Sequence, residues 1–199
     1  NQTKEVGIKP TPAIGGVGLL KDCKKMITME LKEIGNIILV IGKTEGHIDQ
    51  SVFARNILNE KNGPPPEVNL FNEKNNGETI LKLIESNLIK SAHDVSLGGI
   101  ITAISKMCIK GNKGINLKKP KYLISDIEYF FSEDQGRYII EITQENYKKV
   151  TDILDKNAVH FDEVGTVNED RLYIDEKTKV AIDELKTSNT NWLTNYMSK

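Results

Sequence analysis

Cysteine is nearly absent: Cys23 and Cys108 are the only two in 199 residues. They form neither a disulfide framework nor a paired metal-ligand spacing, and read as reduced, packed thiols of a cytosolic protein. Long apolar runs are missing as well. The longest, Ile37-Ile38-Leu39-Val40-Ile41, is far too short to span a bilayer. There is no excess of one charge, since 27 Lys+Arg stand against 28 Asp+Glu for a net charge of −1. The lysines are dispersed and form no basic stripe with aromatics between them, which argues against nucleic acid as a partner. No phosphate-binding Walker loop and no serine or cysteine nucleophile motif occurs. Neither an initiator Met nor a signal-peptide pattern opens the chain at Asn1-Gln2-Thr3, so it is expected to be cut from a longer protein.

What remains is the composition of an ordinary globular domain, 38% hydrophobic and 28% charged. Residues 1–12 read as a linker, extended around Thr11 by Pro10 and Pro12, and residues 13–199 as the domain. Met26–Leu31 and Ile37–Ile41, separated by the turn signal Glu33-Ile34-Gly35-Asn36, predict a hairpin. Helices are predicted at about 50–59, capped by Asp49 or Ser51, at 77–86, after Gly99, and at 144–156. The run Gly63-Pro64-Pro65-Pro66 is a rigid extended loop. Strands are predicted at 137–142, 160–167 and 171–174, the last two joined by a polar turn at 168–170. Trp192-Leu193 and Tyr196-Met197 are expected to dock on the body. The order predicts an α+β fold, a mostly antiparallel sheet with packed helices.

Three stretches carry chemical interest. In His93-Asp94-Val95-Ser96-Leu97-Gly98-Gly99, two glycines let the backbone approach a ligand, and the helix that follows presents amides suited to phosphate. Asp94 adds a hard oxygen for Mg²⁺ and Ser96 a hydroxyl. The same pattern also serves a tight strand-to-helix turn in which Asp94 and Ser96 satisfy local amides. Gly15-Gly16-Val17-Gly18 marks either a close backbone approach to a ligand or a bent strand under a neighbouring domain. Ser132-Glu133-Asp134-Gln135-Gly136-Arg137 suits a polar cleft or a solvated turn. His47 and His160 have no metal-ligand partner at useful spacing.

These stretches also carry a resemblance. Lys9-Pro10-Thr11-Pro12-Ala13-Ile14-Gly15-Gly16-Val17-Gly18, the turn at 91–99, Phe130–Tyr138 and the Trp192-Leu193…Tyr196-Met197 ending resemble, in order, segments of the phosphoribosylformylglycinamidine (FGAM) synthase family. The chain is similar to the second of that family's two aminoimidazole ribonucleotide (AIR) synthase-related C-terminal domains. The resemblance implies part of an ATP- and glutamine-dependent ligase that amidates formylglycinamide ribonucleotide in purine biosynthesis. It implies Mg²⁺ and ATP as cofactors of the whole enzyme, and partners in the upstream domains and a glutaminase.

It implies no catalytic residue here and no activity for this part alone. It points to Gly15, Gly16, Gly18, His93, Ser96, Gly98, Gly99, Glu133 and Gln135 as phosphate- or nucleotide-binding positions, and to Asp94 as a metal ligand. Leu97 stands where the family's turn has Asp, and Asp134 where its segment has Ser. A sister synthetase for aminoimidazole ribonucleotide or selenophosphate, and a non-enzymatic interaction module, are the alternatives.

Overall fold

The computed structural model describes residues 2–3, 6–7, 12–121 and 124–198. Strands β1 (Gln2–Thr3) and β2 (Val6–Gly7) pair with each other. The expected extension around Pro10 and Thr11 lies outside the described residues.

The body is a seven-stranded sheet in the order β4-β6-β3-β7-β5-β8-β9. Its strands are β3 (Ile37–Ile41), β4 (Ser91–Asp94), β5 (Gly114–Leu117), β6 (Tyr138–Ile142), β7 (Phe161–Asn168), β8 (Arg171–Ile174) and β9 (Thr178–Ala181). Every pairing is antiparallel except β5 with β8. The helices are α1 (Leu70–Glu85), α2 (Gly99–Gly111), α3 (Asp126–Phe131), α4 (Tyr147–Lys156) and α5 (Ile182–Met197). The expected α+β class, mostly antiparallel with packed helices, is what forms.

β3 explains the layering. All five of its residues are buried, and its period of two sends alternate side chains to opposite faces. Ile38 and Val40 join the core beneath α2 and α3. Ile37, Leu39 and Ile41 join a second core with Ile80 and Leu83 of α1 and Val150 and Leu154 of α4. A strand covered on both faces reads as a continuous apolar run, as this one does.

Several expectations change. β3 does not pair with 26–31; its neighbours are β6 and β7. Segment 26–31 is tied down elsewhere, through a bridge from Thr28 to Ser91 and the Leu31 N–H bonded to the Met107 carbonyl. Strands β7 and β8 are not a hairpin, because β5 lies between them. The helix expected at 50–59 is a π-helical turn, Ala54–Leu58, with the Ser51 hydroxyl accepting the Ala54 N–H at 3.0 Å. Helix α1 starts earlier than residue 77, at an Asn69 cap that accepts the Asn72 N–H.

No strand forms over 13–20, where Ile14, Val17 and Leu19 are exposed. Helix α5 packs through Ile182 and Leu185, whereas Trp192, Leu193, Tyr196 and Met197 are exposed and do not dock. Cys108 is packed, its thiol pushed up to about 12 by burial, while Cys23 is exposed. No helix among the described residues is long and apolar enough to cross a membrane.

Candidate functional site

Edge strand β4 delivers the first group. It pairs with β6 so that His93 faces Ile139 and Asp94 faces Tyr138. The Asp94 side chain is 64% exposed and that of His93 only 10%, with His93 Nδ1 3.1 Å from Asp94 Oδ1. His93 Nε2 is buried without a hydrogen-bond partner.

The chain then turns through exposed Ser96 and Leu97 into buried Gly98 and Gly99. Both glycines take positive φ, +83° and +70°, which other residues adopt only with strain. A Cβ on Gly99 would sit 2.6 Å from the Ser132 carbonyl oxygen and 2.7 Å from that of Phe130. Gly99 therefore lets the start of α2 rest on the end of α3.

Segment 132–137 supplies the second group, and most of it is committed to the protein itself. Arg137, 1% exposed, donates from Nη1 to the Thr44 hydroxyl at 3.0 Å and from Nη2 to the Ser132 carbonyl at 2.7 Å. Burial draws its guanidinium down, and the charge of Asp134 pushes it back up. The Asp134 carboxylate accepts the backbone amides of Glu45, Gly46 and His47 at 3.0–3.1 Å. Glu133 Oε1 accepts the amides of Val52 and Gly98, each at 2.8 Å. Gln135 is exposed.

Between these groups lies a cleft of about 340 Å³. Asp94, Ser96, Glu133 and Gln135 line it, joined by Asp49, Gln50, Pro66, Glu73 and Tyr138. A neighbouring hollow of about 510 Å³ shares Glu73 and Gln135 and adds Lys43, His47 and His160. The first cleft is acidic, with Asp49, Glu73, Asp94 and Glu133 in its wall and its one cation, Arg137, turned to Asp134. Tyr138 registers this: burial pushes its phenol up, and Glu73 and Asp94 push the same way. A polyphosphate would enter such a cleft only with a divalent cation to offset the repulsion.

Among the described residues no three His, Cys, Asp or Glu side chains are grouped to hold a metal. A further cavity of about 760 Å³, around Lys118, Glu163 and Tyr173, is lined by none of the expected site residues.

Asp94, Ser96, Glu133 and Gln135 thus converge on one cleft. His93, Gly98 and Gly99 are not among its lining residues, although Gly98 is tied to Glu133 through its N–H. Gly15, Gly16 and Gly18 are not brought there; they sit in exposed chain where an added Cβ would meet nothing within 4 Å. Asp49, expected only as a helix cap, Tyr138, expected in a strand, and Gln50 and Glu73 are not among the expected site residues; the rigid loop at 63–66 brings Pro66 to the cleft wall.

Residues 33–176 match the family described as AIR synthase related protein, C-terminal domain. The chain belongs to that family. The matched AIR-synthase-related region contains the whole cleft and excludes the glycines at 15–18. The phosphoribosylformylglycinamidine synthase subunit PurL of Pelagibacter ubique is 74% identical over 197 residues, covering 99% of this chain. That of Rhodopseudomonas palustris is 36% identical over 198 residues, covering all of it. The chain spans 27% of the length of each of these curated relatives. A Thermotoga maritima PurL complexed with FGAR superposes with a TM-score of 0.68 over 82% of this chain and 30% of that one. At 21% identity, that likeness shows the fold.

Proposed function

We propose that this chain is the C-terminal part of the large subunit of an FGAM synthase. In this reading residues 13–199 are the second AIR-synthase-related domain, and residues 1–12 the tail of the domain before it. The observation that carries it is the 74% identity sustained over 197 residues with the Pelagibacter relative. The whole enzyme would amidate formylglycinamide ribonucleotide at the expense of ATP, in the cytoplasm, with ammonia from a glutaminase partner.

This part would not catalyse the reaction. Among the described residues no three His, Cys, Asp or Glu side chains are grouped to hold a metal, and Arg137 and Asp134 are spent on holding loops. Its role is to complete an auxiliary ligand site and to buttress the upstream domains.

Within that site, Asp94, Ser96, Glu133 and Gln135 line the cleft, and Glu133 is tied to the Gly98 N–H. The donor set fits Mg²⁺ only as a cation shared with a ligand's phosphates, since Asp94 offers one exposed carboxylate and magnesium keeps several waters. When bound, Mg²⁺ would supply the positive charge the acidic wall lacks. Ser96 and Gln135 would orient the polyphosphate through hydroxyl and amide.

Two measurements test this. A chimera in which the chain replaces the matching segment of the Pelagibacter subunit is expected to retain ATP- and glutamine-dependent amidation. A folded but inactive chimera would count against the assignment. Calorimetric titration of Mg·ADP into the chain, beside Asp94→Ala, tests the cleft. Binding lost in the variant supports it, and equal binding in both places the nucleotide elsewhere.

A further inference from the structure

The side chains of His93 and Asp94 leave β4 toward opposite faces of the sheet, as successive strand residues do. His93 pairs with Ile139, which belongs to the core beneath α2. Asp94 pairs with Tyr138, which packs on the α1 side and lines the cleft. At the end of this outermost strand the two side chains nevertheless meet, with His93 Nδ1 3.1 Å from Asp94 Oδ1.

The two ring nitrogens of His93 differ. Nε2 is buried away from any hydrogen-bond partner, and a neutral imidazole carries one N–H. On Nε2 that N–H would be a buried donor with nothing to accept it. The proton therefore belongs on Nδ1, where the Asp94 carboxylate receives it. The ring is otherwise ill suited to its place. Its side chain is only 10% exposed, and an apolar ring would fill the space without orphaning a nitrogen.

The bond matters for Asp94. That side chain is 64% exposed, and the contact with His93 is the hydrogen bond that holds it. A carboxylate free to swing at a cleft wall loses rotamer freedom when it grips a cation. With Oδ1 held by His93, Oδ2 stays available to one.

We propose that His93 is a positioning residue for Asp94. It does not line the cleft and touches no ligand there. It sets the carboxylate that would hold the divalent cation of a polyphosphate, as hydrogen-bond partners behind metal ligands do. The cation half rests on the reading of the cleft as a polyphosphate site; the link between the two side chains does not.

NMR of the ligand-free chain with ¹⁵N-labelled histidine tests the link. The His93 signals are expected to show the proton on Nδ1. Asp94→Ala is expected to move those signals and to speed exchange of that proton with water. A proton on Nε2, or signals indifferent to Asp94→Ala, overturns the link whatever a metal does.

Mn²⁺ added with ADP tests the cation, with free Mn²⁺ read by electron paramagnetic resonance. Asp94→Ala should abolish binding. His93→Asn places an amide N–H where Nδ1 was, and should keep the dissociation constant within about threefold. His93→Gln places it where Nε2 was, and His93→Phe removes it. Both should weaken binding by roughly tenfold or more. Because phenylalanine leaves no orphaned nitrogen, the urea midpoint of His93→Phe should be no lower than that of the unaltered chain. A merely structural histidine would not lose binding while keeping stability. Should His93→Phe fail to fold, the stability claim falls, and His93→Gln against His93→Asn decides the positioning. Equal binding by His93→Asn and His93→Gln, or a lowered midpoint in His93→Phe with binding intact, overturns the positioning role. Binding indifferent to Asp94→Ala, or no binding at all, overturns the polyphosphate reading and the role of His93 in it, even where the Nδ1 proton shows the link to be real.

Discussion

The guanidinium of Arg137 lies 3.7 Å from the carboxylate of Asp134, and both side chains are buried. The pair is not isolated. Arg137 fixes the Thr44 hydroxyl and the Ser132 carbonyl, while Asp134 gathers three amides of segment 45–47. Together they join the end of β3, segment 44–47 and the approach to β6 at one point beside the cleft.

Breaking this pair on one side should be costly, because the survivor stays buried without its counter-charge. Arg137→Met is expected to destabilise the chain by about 3–5 kcal/mol, read as a lower urea midpoint at unchanged slope. A loss below about 1 kcal/mol would mean that Asp134 holds its three amides without help.

Glu141 sets up a second dependence, away from the cleft. Its carboxylate is fully buried and accepts from the Lys32 and Glu33 amides, the Asn36 side chain at 2.7 Å and the Ser91 hydroxyl at 3.0 Å. Glu141→Ala leaves those donors facing a void and should cost about 3 kcal/mol. Faster proteolysis should appear within 26–36, which Glu141 fastens to the sheet. Glu141→Gln should not be silent, since an amide turns one acceptor into a donor.

His160 gives the stability a pH dependence. Asp162, with its carboxylate 3.4 Å from His160 Nε2, raises the imidazole above its ordinary 6.5. A raised histidine contributes stability that is complete below its unfolded value and is lost as pH rises through its folded one. The melting-temperature gap between the unaltered chain and His160→Gln should therefore be wider near about pH 5.5 than near about pH 8.5. A gap that does not change with pH would mean that the charge on His160 plays no part in folding.

Local pattern carried much of the architecture. The apolar run Ile37–Ile41 announced a strand, though in a hairpin with 26–31, and the helix expected after Gly99 is α2. The glycine pair before α2 announced a turn of special backbone, and the family resemblance followed from that turn, from segments 9–18 and 130–138 and from the ending at 192–197. Strand β5 escaped notice because four residues beginning at Gly114 carry too little pattern to outweigh the turn signal of Gly111 and Gly114.

Partnership between distant segments was not legible. The sequence could not say that β3 would pair with β6 and β7 in preference to its neighbour 26–31. Strand pairing is settled by which faces the whole chain can bury, and here by a glutamate at 141 that collects the amides of 32 and 33. The helix expected to start at residue 77 begins at Leu70 instead and runs through Asn75-Asn76-Gly77. The Asn76 side chain bonds the Gly136 carbonyl at 2.8 Å and that of Asn75 bonds Asn157 at 2.9 Å, so tertiary contacts override weak local propensity.

The candidate site divides the same way. Sequence alone determined which residue types stand at 93–99 and 132–137. Only the tertiary structure decided that Glu133 would spend its carboxylate on Gly98 and Val52, that Asp49, Gln50 and Glu73 would complete the wall, and that the glycines at 15–18 would stay apart. Hydrogen bonds between segments tens of residues apart leave no periodicity in either one. They exist only once the sheet has set the distance between them.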